Sequence, residues 1–226
     1  MGEPGIEASA DSAVPDPLVR LAFVMNVHRL LQRGFDRMIR GRYKSEEEEV
    51  ITGALTQAIE QVLEDPNAPE WAIHITIHEE KRKHDGTRRG KKRLRLDFEF
   101  ERTGRGCRPR FEIEAKRLSL SPKHRVSGYL GPKGMGAFLS GEYAAQHGDA
   151  GMVGYMQSHT PEHWRDELAA KLGTSPGKFG IEPKGEWQPV HIAEGPSDTH
   201  QTTHRRAIGQ TSIVIYHTLL DFRNAE

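Results

Sequence analysis

Two stretches, Arg93-Leu-Arg-Leu-Asp-Phe-Glu-Phe-Glu101 and Arg110-Phe-Glu-Ile-Glu-Ala-Lys116, decide how the chain is read. Each alternates apolar and charged residues with period two, the pattern of a strand whose successive side chains point to opposite faces. Leu94, Leu96, Phe98 and Phe100 share one face of the first; Phe111, Ile113 and Ala115 share one face of the second. Gly104 and Gly106 between them predict a hairpin turn about Arg105-Gly106. A turn symmetric there sets Asp97 opposite Glu114, Glu99 opposite Glu112, Glu101 opposite Arg110 and Arg95 opposite Lys116.

Working outward, Trp71-Ala-Ile-His-Ile-Thr-Ile-His78 alternates in the same way, with Ile73, Ile75 and Ile77 on one face, and the three runs predict an antiparallel meander. Before it, Leu18, Leu21, Val24, Met25, Leu31, Phe35 and Met38 recur at helical spacing and predict a helix over 18–39. Ser45 as N-cap, Glu46 to Glu49 in the first turn and a stripe of Ile51, Leu55, Ile59 and Val62 predict a second helix that stops before Asp65-Pro66. After the meander come a long loop through Pro122 and 128–136, a short helix over 137–146 and a buried strand over 151–157. Thr160-Pro161 then starts a helix running to about 172. The stretch 173–196 reads as loop, and 212–222 as a strand closing the core. Residues 1–17, rich in Ala, Gly, Pro and acid, are expected to be a disordered tail. The remainder, 18–226, is expected to be one domain with its core at about 45–158.

A length of 226 residues suits one domain with a sizeable core. The 32 basic and 32 acidic residues cancel, which excludes a globally basic nucleic-acid binder while leaving room for local patches. A single cysteine, Cys107, excludes an internal disulfide framework and a Cys-rich zinc module. No apolar run approaches the roughly 20 residues that span a bilayer, and the first residues lack the basic and apolar regions of a signal peptide. The expectation is a cytoplasmic protein with no membrane partner.

The chemistry lies on the charged faces of the two central strands, which carry Asp97, Glu99 and Glu101 on one and Glu112, Glu114 and Lys116 on the other. Neighbouring strands sit about 4.8 Å apart, so facing carboxylates repel and destabilise the sheet unless something positive lies between them. A hard divalent cation fits, since Mg²⁺ is commonly held by one or two carboxylates plus substrate phosphate. Lys116 falls on the face of Glu114 and could orient or activate a water, or stabilise charge developing on phosphorus. The plain alternative is a solvated strand face of mixed charge.

Asp97 within Arg-Leu-Asp-Phe-Glu-Phe and Glu114-Ala115-Lys116 within Phe-Glu-Ile-Glu-Ala-Lys resemble the motif of the PD-(D/E)xK nuclease superfamily, with Leu96 where the motif has proline. The element order over about 45–158 is similar to that family's αβββαβ core. The resemblance implies an α/β fold of restriction-endonuclease-like architecture, with a mixed central sheet, flanking helices and here an extra C-terminal strand. It further implies a nuclease that hydrolyses phosphodiester bonds with Mg²⁺ or Mn²⁺, in restriction, phage defence or repair. Asp97 and Glu114 would be metal ligands and Lys116 the catalytic lysine. A further glutamate from the first core helix would be Glu48 or Glu49, with dipole compensation as the plain reading of that acidic cluster. The rival is a non-catalytic module that keeps the fold and binds nucleic acid or protein.

Residues 81–95 hold nine of the 32 basic residues against one acid, Asp85. Self-repulsion makes such clustering unfavourable unless it meets an anion, so Arg88, Arg89, Lys91, Lys92 and Arg93 are expected to grip a phosphate backbone. His204-Arg205-Arg206 is a candidate second phosphate-contacting loop, through His204 and Arg206, with a solvated loop as the plain reading. The expected partner is nucleic acid, DNA ahead of RNA, and a homodimer or protein partner is compatible with the chain. Twelve His raise a zinc reading, through His200 and His204 or His159 and His163, but no HExxH is present. Gly128, Gly131, Gly134 and Gly136 fit neither a P-loop nor a dinucleotide fingerprint and read as a flexible loop.

Overall fold

The structure is a computed structural model that describes residues 16–82, 95–104, 108–207, 209 and 211–223. Its basic turn, with Arg88, Arg89, Lys91, Lys92 and Arg93, lies outside the described residues. The described strands are β1 (Ile75–Arg82), β2 (Arg95–Arg102), β3 (Arg110–Leu118), β4 (Asp149–Met156), β5 (Gln188–Pro189), β6 (Thr199–Arg205) and β7 (Ser212–Asp221). They form one seven-stranded sheet in the order β1-β2-β3-β4-β7-β6-β5. The meander β1–β2–β3 is antiparallel, β3–β4 and β4–β7 are parallel, and β7–β6–β5 is antiparallel again. The protein is therefore α/β with a mixed sheet and flanking helices.

Helices α1 (Pro17–Arg37) and α2 (Glu48–Leu63) cover one face, packing on Ile75, Ile77, Phe98, Phe100, Phe111 and Ile113. In α2, Ile51, Leu55 and Ile59 recur at four-residue spacing and are fully buried, each contributing about 1.5–3 kcal/mol. Leu55→Ala would cost about 2–5 kcal/mol through the cavity it leaves. The two helices cross at Gly34, where a Cβ would collide with Ile59 Cγ1. Short helices α3 (Val126–Tyr129) and α4 (Met135–Leu139), with α5 (Pro161–Gly173) and α6 (Pro176–Phe179), cover the other face. Since both faces are covered, β4 reads as a nearly continuous buried run, as parallel strands in such sheets do.

Several expected elements differ. Residues 71–74 belong to a 3₁₀ turn, Glu70–His74, entered after Pro69, and Ile73 is exposed; the strand begins at Ile75. The second helix starts at Glu48 rather than at the Ser45 cap. The backbone just before it is held by other partners, since Glu46 O accepts from Arg117 Nη1 at 3.0 Å and Gln157 Nε2 at 2.8 Å. The helix over 137–146 is replaced by α4 and a turn with left-handed Gly141 and Ala144. There the Ala144 amide donates to Glu112 Oε2 at 2.8 Å instead of continuing the helix. The glycine stretch is tightly folded: a Cβ on Gly134 would collide with Tyr129 O. Strand β6 arises where a loop was expected, and β7 lies inside the sheet, between β4 and β6. Thr160 caps α5 as expected, accepting from His163 N at 3.2 Å.

Candidate active site

The hairpin register matches the symmetric turn over four rungs, Phe98↔Ile113, Glu99↔Glu112, Phe100↔Phe111 and Glu101↔Arg110. Beyond Phe98 and Ile113 the β2–β3 ladder ends, so Asp97 and Glu114 are not a ladder pair, and neither are Arg95 and Lys116. The Ala115 amide donates to Asp97 Oδ2 at 2.7 Å, and the side chain does what a backbone carbonyl would have done. From Ile113 to Leu118, β3 also pairs with β4 on its other side. Leu96 packs in the second apolar cluster, apart from Phe98 and Phe100 in the first, so the apolar face expected to run from Leu94 to Phe100 is not continuous.

The charged face is not solvated. Glu99, Glu112 and Glu114 are 1%, 2% and 6% exposed; the Ala144 amide donates to Glu112, Arg110 lies 3.7 Å from Glu99 and Lys116 holds Glu114. Lys116 Nζ donates to Glu114 Oε1 at 2.8 Å, to Glu48 Oε1 at 2.8 Å and to Ala115 O at 2.6 Å. Glu48, the first residue of α2, also accepts the Arg117 amide on Oε2 at 3.1 Å. Glu49 turns outward to an exposed ion pair with Arg95 at 3.0 Å. The helix therefore delivers Glu48, and not Glu49, to Asp97, Glu114 and Lys116.

One atom in this cluster is unsatisfied: Glu114 Oε2 is buried with no hydrogen-bond partner. Burial, and then the nearby Asp97 charge, push the Glu114 carboxyl up to about 8. Burial pushes Asp97 up to about 6, against the pull of Lys116 and the Ala115 amide. Burial alone would lower Lys116, but the charges of Glu114, Glu48 and Asp97 outweigh it and hold the ammonium protonated well above its ordinary range.

Two further contacts shape the site without a signal in the sequence. Tyr143 Oη donates to Arg95 O at 2.6 Å, fixing the start of β2 beside Asp97. Gln157, at the end of β4, donates to Tyr43 O and Glu46 O and so anchors the approach to α2. His204 and Arg206, expected on a phosphate-contacting loop, are placed elsewhere. His204 is fully buried in β6, bonded to Thr202 Oγ1 at 2.6 Å and Phe179 O at 2.8 Å. Arg206 is buried and donates to the carbonyls of Ala144, Ala145 and His147. Those carbonyls sit where a continuing helix would have used them, so Arg206 serves the fold and does not face solvent.

Among the described residues, no group of three or more His, Cys, Asp or Glu is arranged to hold a metal by protein ligands alone. Mg²⁺ does not require one, because it keeps several waters and takes one or two carboxylates plus phosphate. Asp97 and Glu114 fit that donor set: both are hard oxygen donors, and one oxygen is buried without a donor to satisfy it. No helix among the described residues is long and apolar enough to cross a membrane. The chain matches no family model, no curated protein and no solved structure.

Proposed function

We propose that the chain is a divalent-metal-dependent nuclease of the PD-(D/E)xK type, with a restriction-endonuclease-like core, acting on DNA ahead of RNA. The order α2, β1, β2, β3, short helices, β4 supports the αβββαβ reading. The observation that carries the proposal is the buried, unpartnered Glu114 Oε2 beside Asp97, Lys116 and Glu48. An unsatisfied buried carboxylate oxygen costs about 1–3 kcal/mol or more, and a cation is the partner it lacks.

Asp97 and Glu114 would hold Mg²⁺ or Mn²⁺, which when bound lowers the pKa of a water and neutralises phosphoryl charge. Glu114 and Glu48 fix the Lys116 ammonium from two sides. Held protonated, Lys116 would place a positive charge beside the metal ligands, where it stabilises charge developing on the phosphoryl oxygens, and would donate to water or phosphate only by releasing one of its bonds within the protein. The Ala115 amide fixes Asp97 Oδ2 and leaves Oδ1 as the oxygen to be offered. One observation favours the non-catalytic reading: the three bonds of Lys116 use all three of its protons within the protein.

Incubation with plasmid, linear and single-stranded DNA and with RNA, each with Mg²⁺, Mn²⁺ or EDTA, separates the two. The expected result is cleavage that EDTA stops and that Asp97→Asn abolishes without loss of fold. Cleavage unaffected by EDTA, or an Asp97→Asn protein as active as the parent, would refute the assignment. Divalent binding with no cleavage of any substrate would favour the non-catalytic module.

A further inference from the structure

The N-terminus of α2 has no side-chain cap of its own. Glu47 stands at the N-cap position and makes no side-chain bond to the helix. The residues around it are held instead from β3. Arg117 reaches three of them in a row: its Nη1 donates to Glu46 O at 3.0 Å, its Nη2 to the Glu47 carboxylate, and its amide to Glu48 Oε2 at 3.1 Å. The Arg117 side chain is 11% exposed, so its guanidinium depends on protein partners more than on water. One of those partners is an imidazole: Arg117 Nη2 lies 2.8 Å from His124 Nε2.

That contact fixes the state of His124. A guanidinium carries donors only and stays charged, so Nε2 is the acceptor and holds no proton. The one proton of the neutral ring is then on Nδ1, which donates to Ser119 Oγ at 3.0 Å. Ser119 Oγ also accepts the Ser121 amide at 3.3 Å. The loop that presents the ring closes on itself, with Ser119 N donating to His124 O at 3.0 Å and His124 N to Ser121 O at 2.9 Å. A protonated ring donates from both nitrogens and would set a second cation against the guanidinium. Burial, and then the Arg117 charge, hold His124 below its ordinary pKa of 6.5; Glu47 and Glu48 pull the other way, and Lys123 adds to the lowering. Arg125, the next residue, gives its guanidinium to Leu120 O at 3.0 Å.

We infer that His124, as the neutral Nδ1–H tautomer, is a positioning residue: it accepts from Arg117 and so aims the guanidinium that sets the start of α2 and delivers Glu48 to Lys116. Protonation of His124 withdraws that acceptor and loosens the first turn of α2, which makes the placement of Glu48 sensitive to pH. His124 acts through Arg117 and not on reacting atoms. The catalytic consequence rests on the nuclease reading of the site; the tautomer and its hold on α2 do not.

The test begins with the full, metal-free chain. Two-bond proton–nitrogen correlation spectra of the histidine rings at neutral pH, with His124→Gln to assign the signal, should show Nδ1 protonated and Nε2 bare. An Nε2–H tautomer or a doubly protonated ring would overturn the inference whatever the variants do. Hydrogen exchange at the Ile51 amide, which is bonded to Glu47 O at 3.1 Å, then reads the first turn of α2. His124→Leu, which offers Arg117 no acceptor, should speed that exchange about tenfold at neutral pH, the effect of losing one hydrogen bond to a charged group. His124→Gln, whose amide oxygen accepts and does not titrate, should stay within about twofold of the parent. As pH falls, the parent should lose protection relative to His124→Gln. A Leu variant that exchanges as slowly as the parent, or a Gln variant that exchanges as fast as Leu, would overturn the positioning role; a parent that tracks His124→Gln down to about pH 4.5, two units below the ordinary imidazole value, would overturn the pH sensitivity. With Mg²⁺ and plasmid DNA, His124→Leu should cleave about 10–100-fold more slowly, the usual loss for an outer partner of a site residue, and His124→Gln near the parent rate. Absence of cleavage by all three proteins would remove the nuclease and leave the positioning role, whereas cleavage by a parent with an Nε2–H ring would do the reverse.

Discussion

Replacing Glu114 with Gln changes one atom type at the carboxyl whose Oε2 is buried without a hydrogen-bond partner, and its effect on stability depends on pH in a way the structure dictates. Glu114 is held near 8 by burial and by Asp97, against an ordinary value of 4.5. Between those values the folded protein binds more protons than the unfolded chain, so stability is greatest below about pH 4.5 and falls as pH rises towards 8. One proton over that window has a ceiling of about 1.4 kcal/mol per pH unit. The Lys116 contact is already part of the value of about 8, and water penetration into the site brings the total to about 2–4 kcal/mol. In Glu114→Gln the side chain is neutral throughout and its carbonyl oxygen still accepts from Lys116, so the fall disappears. The metal-free variant should match the parent within about 1 kcal/mol at pH 5 and exceed it by about 2–4 kcal/mol at pH 8.5. For a chain of this length each kcal/mol moves Tm by about 2–4 °C, so differential scanning calorimetry at the two pH values reads the effect directly. Mg²⁺ should close the gap by stabilising the parent alone. Because buried His28, His200, His204 and His217 make stability rise with pH over the same window, the readout is the difference between the two proteins. A parent–variant gap that is the same at pH 5 and 8.5, or a variant that loses more stability than the parent at pH 8.5, would show that Glu114 is an ionised partner of Lys116 and that the reasoning is wrong.

Three other outcomes follow from the same contacts. Lys116→Ala should keep its divalent-ion affinity by calorimetry while cleaving about 10²–10³-fold more slowly, the usual loss for removing a donor to a developing charge; equal loss of affinity and rate would mark it as a structural ion pair. Glu48→Gln should reduce cleavage and cost about 1–2 kcal/mol in denaturant unfolding, because it weakens the bonds to Lys116 and Arg117, whereas Glu49→Gln, an exposed partner of Arg95, should stay within about 0.5 kcal/mol. Metal binding should release protons, since the acids must ionise to serve as ligands; titrations at pH 7 in buffers of different ionisation heat should show release that vanishes in Glu114→Gln, and equal release from the variant would exclude Glu114 as its source.

What was legible in the sequence was local. Period-two alternation and the glycines between the runs locate β2 and β3 and the four rungs from Phe98↔Ile113 to Glu101↔Arg110, because these signals lie within twenty-five residues, but not the end of the ladder short of Asp97 and Glu114. Thr160-Pro161 marks the start of α5 by the same kind of short-range chemistry. Strand β6 was hidden because its buried positions are Thr199, His200, Thr202 and His204, whose polarity suggests solvent. Their partners are remote in sequence: Thr202 Oγ1 meets His217 Nε2 at 2.8 Å, and His217 meets the Tyr129 hydroxyl at 3.2 Å. Arg206 misleads for the same reason, because the carbonyls it serves become free only when the chain leaves a helix sixty residues earlier. For the site, the residue types of Asp97, Glu114 and Lys116 were readable, but not the choice of Glu48 over Glu49, which depends on where α2 begins. That start is set by Arg117 and Gln157 holding Glu46 O, a tertiary effect.

The charge balance of the cluster argues against a purely structural role. Asp97, Glu114 and Glu48 surround a single ammonium, Lys116. The nearest guanidiniums are engaged elsewhere, Arg95 with Glu49 and Arg117 with Glu47, Glu46 O and His124. If all three acids ionise, two negative charges remain in a partly buried site. A cluster selected only for stability would gain from a second cation or from apolar replacements, since well-packed hydrophobic residues commonly match or exceed buried ion pairs. The metal-free chain instead has carboxyls whose pKa values are raised, so protons supply the positive charge that the side chains do not. With Glu114 at about 8 and Asp97 at about 6, the metal-free site holds about one proton at neutral pH, on Glu114, and a divalent cation that displaced it would leave the cluster one unit more positive. A site that is stable with a proton and can give it up to a cation is what the proposed reversible Mg²⁺ centre would need and a structural ion pair would not.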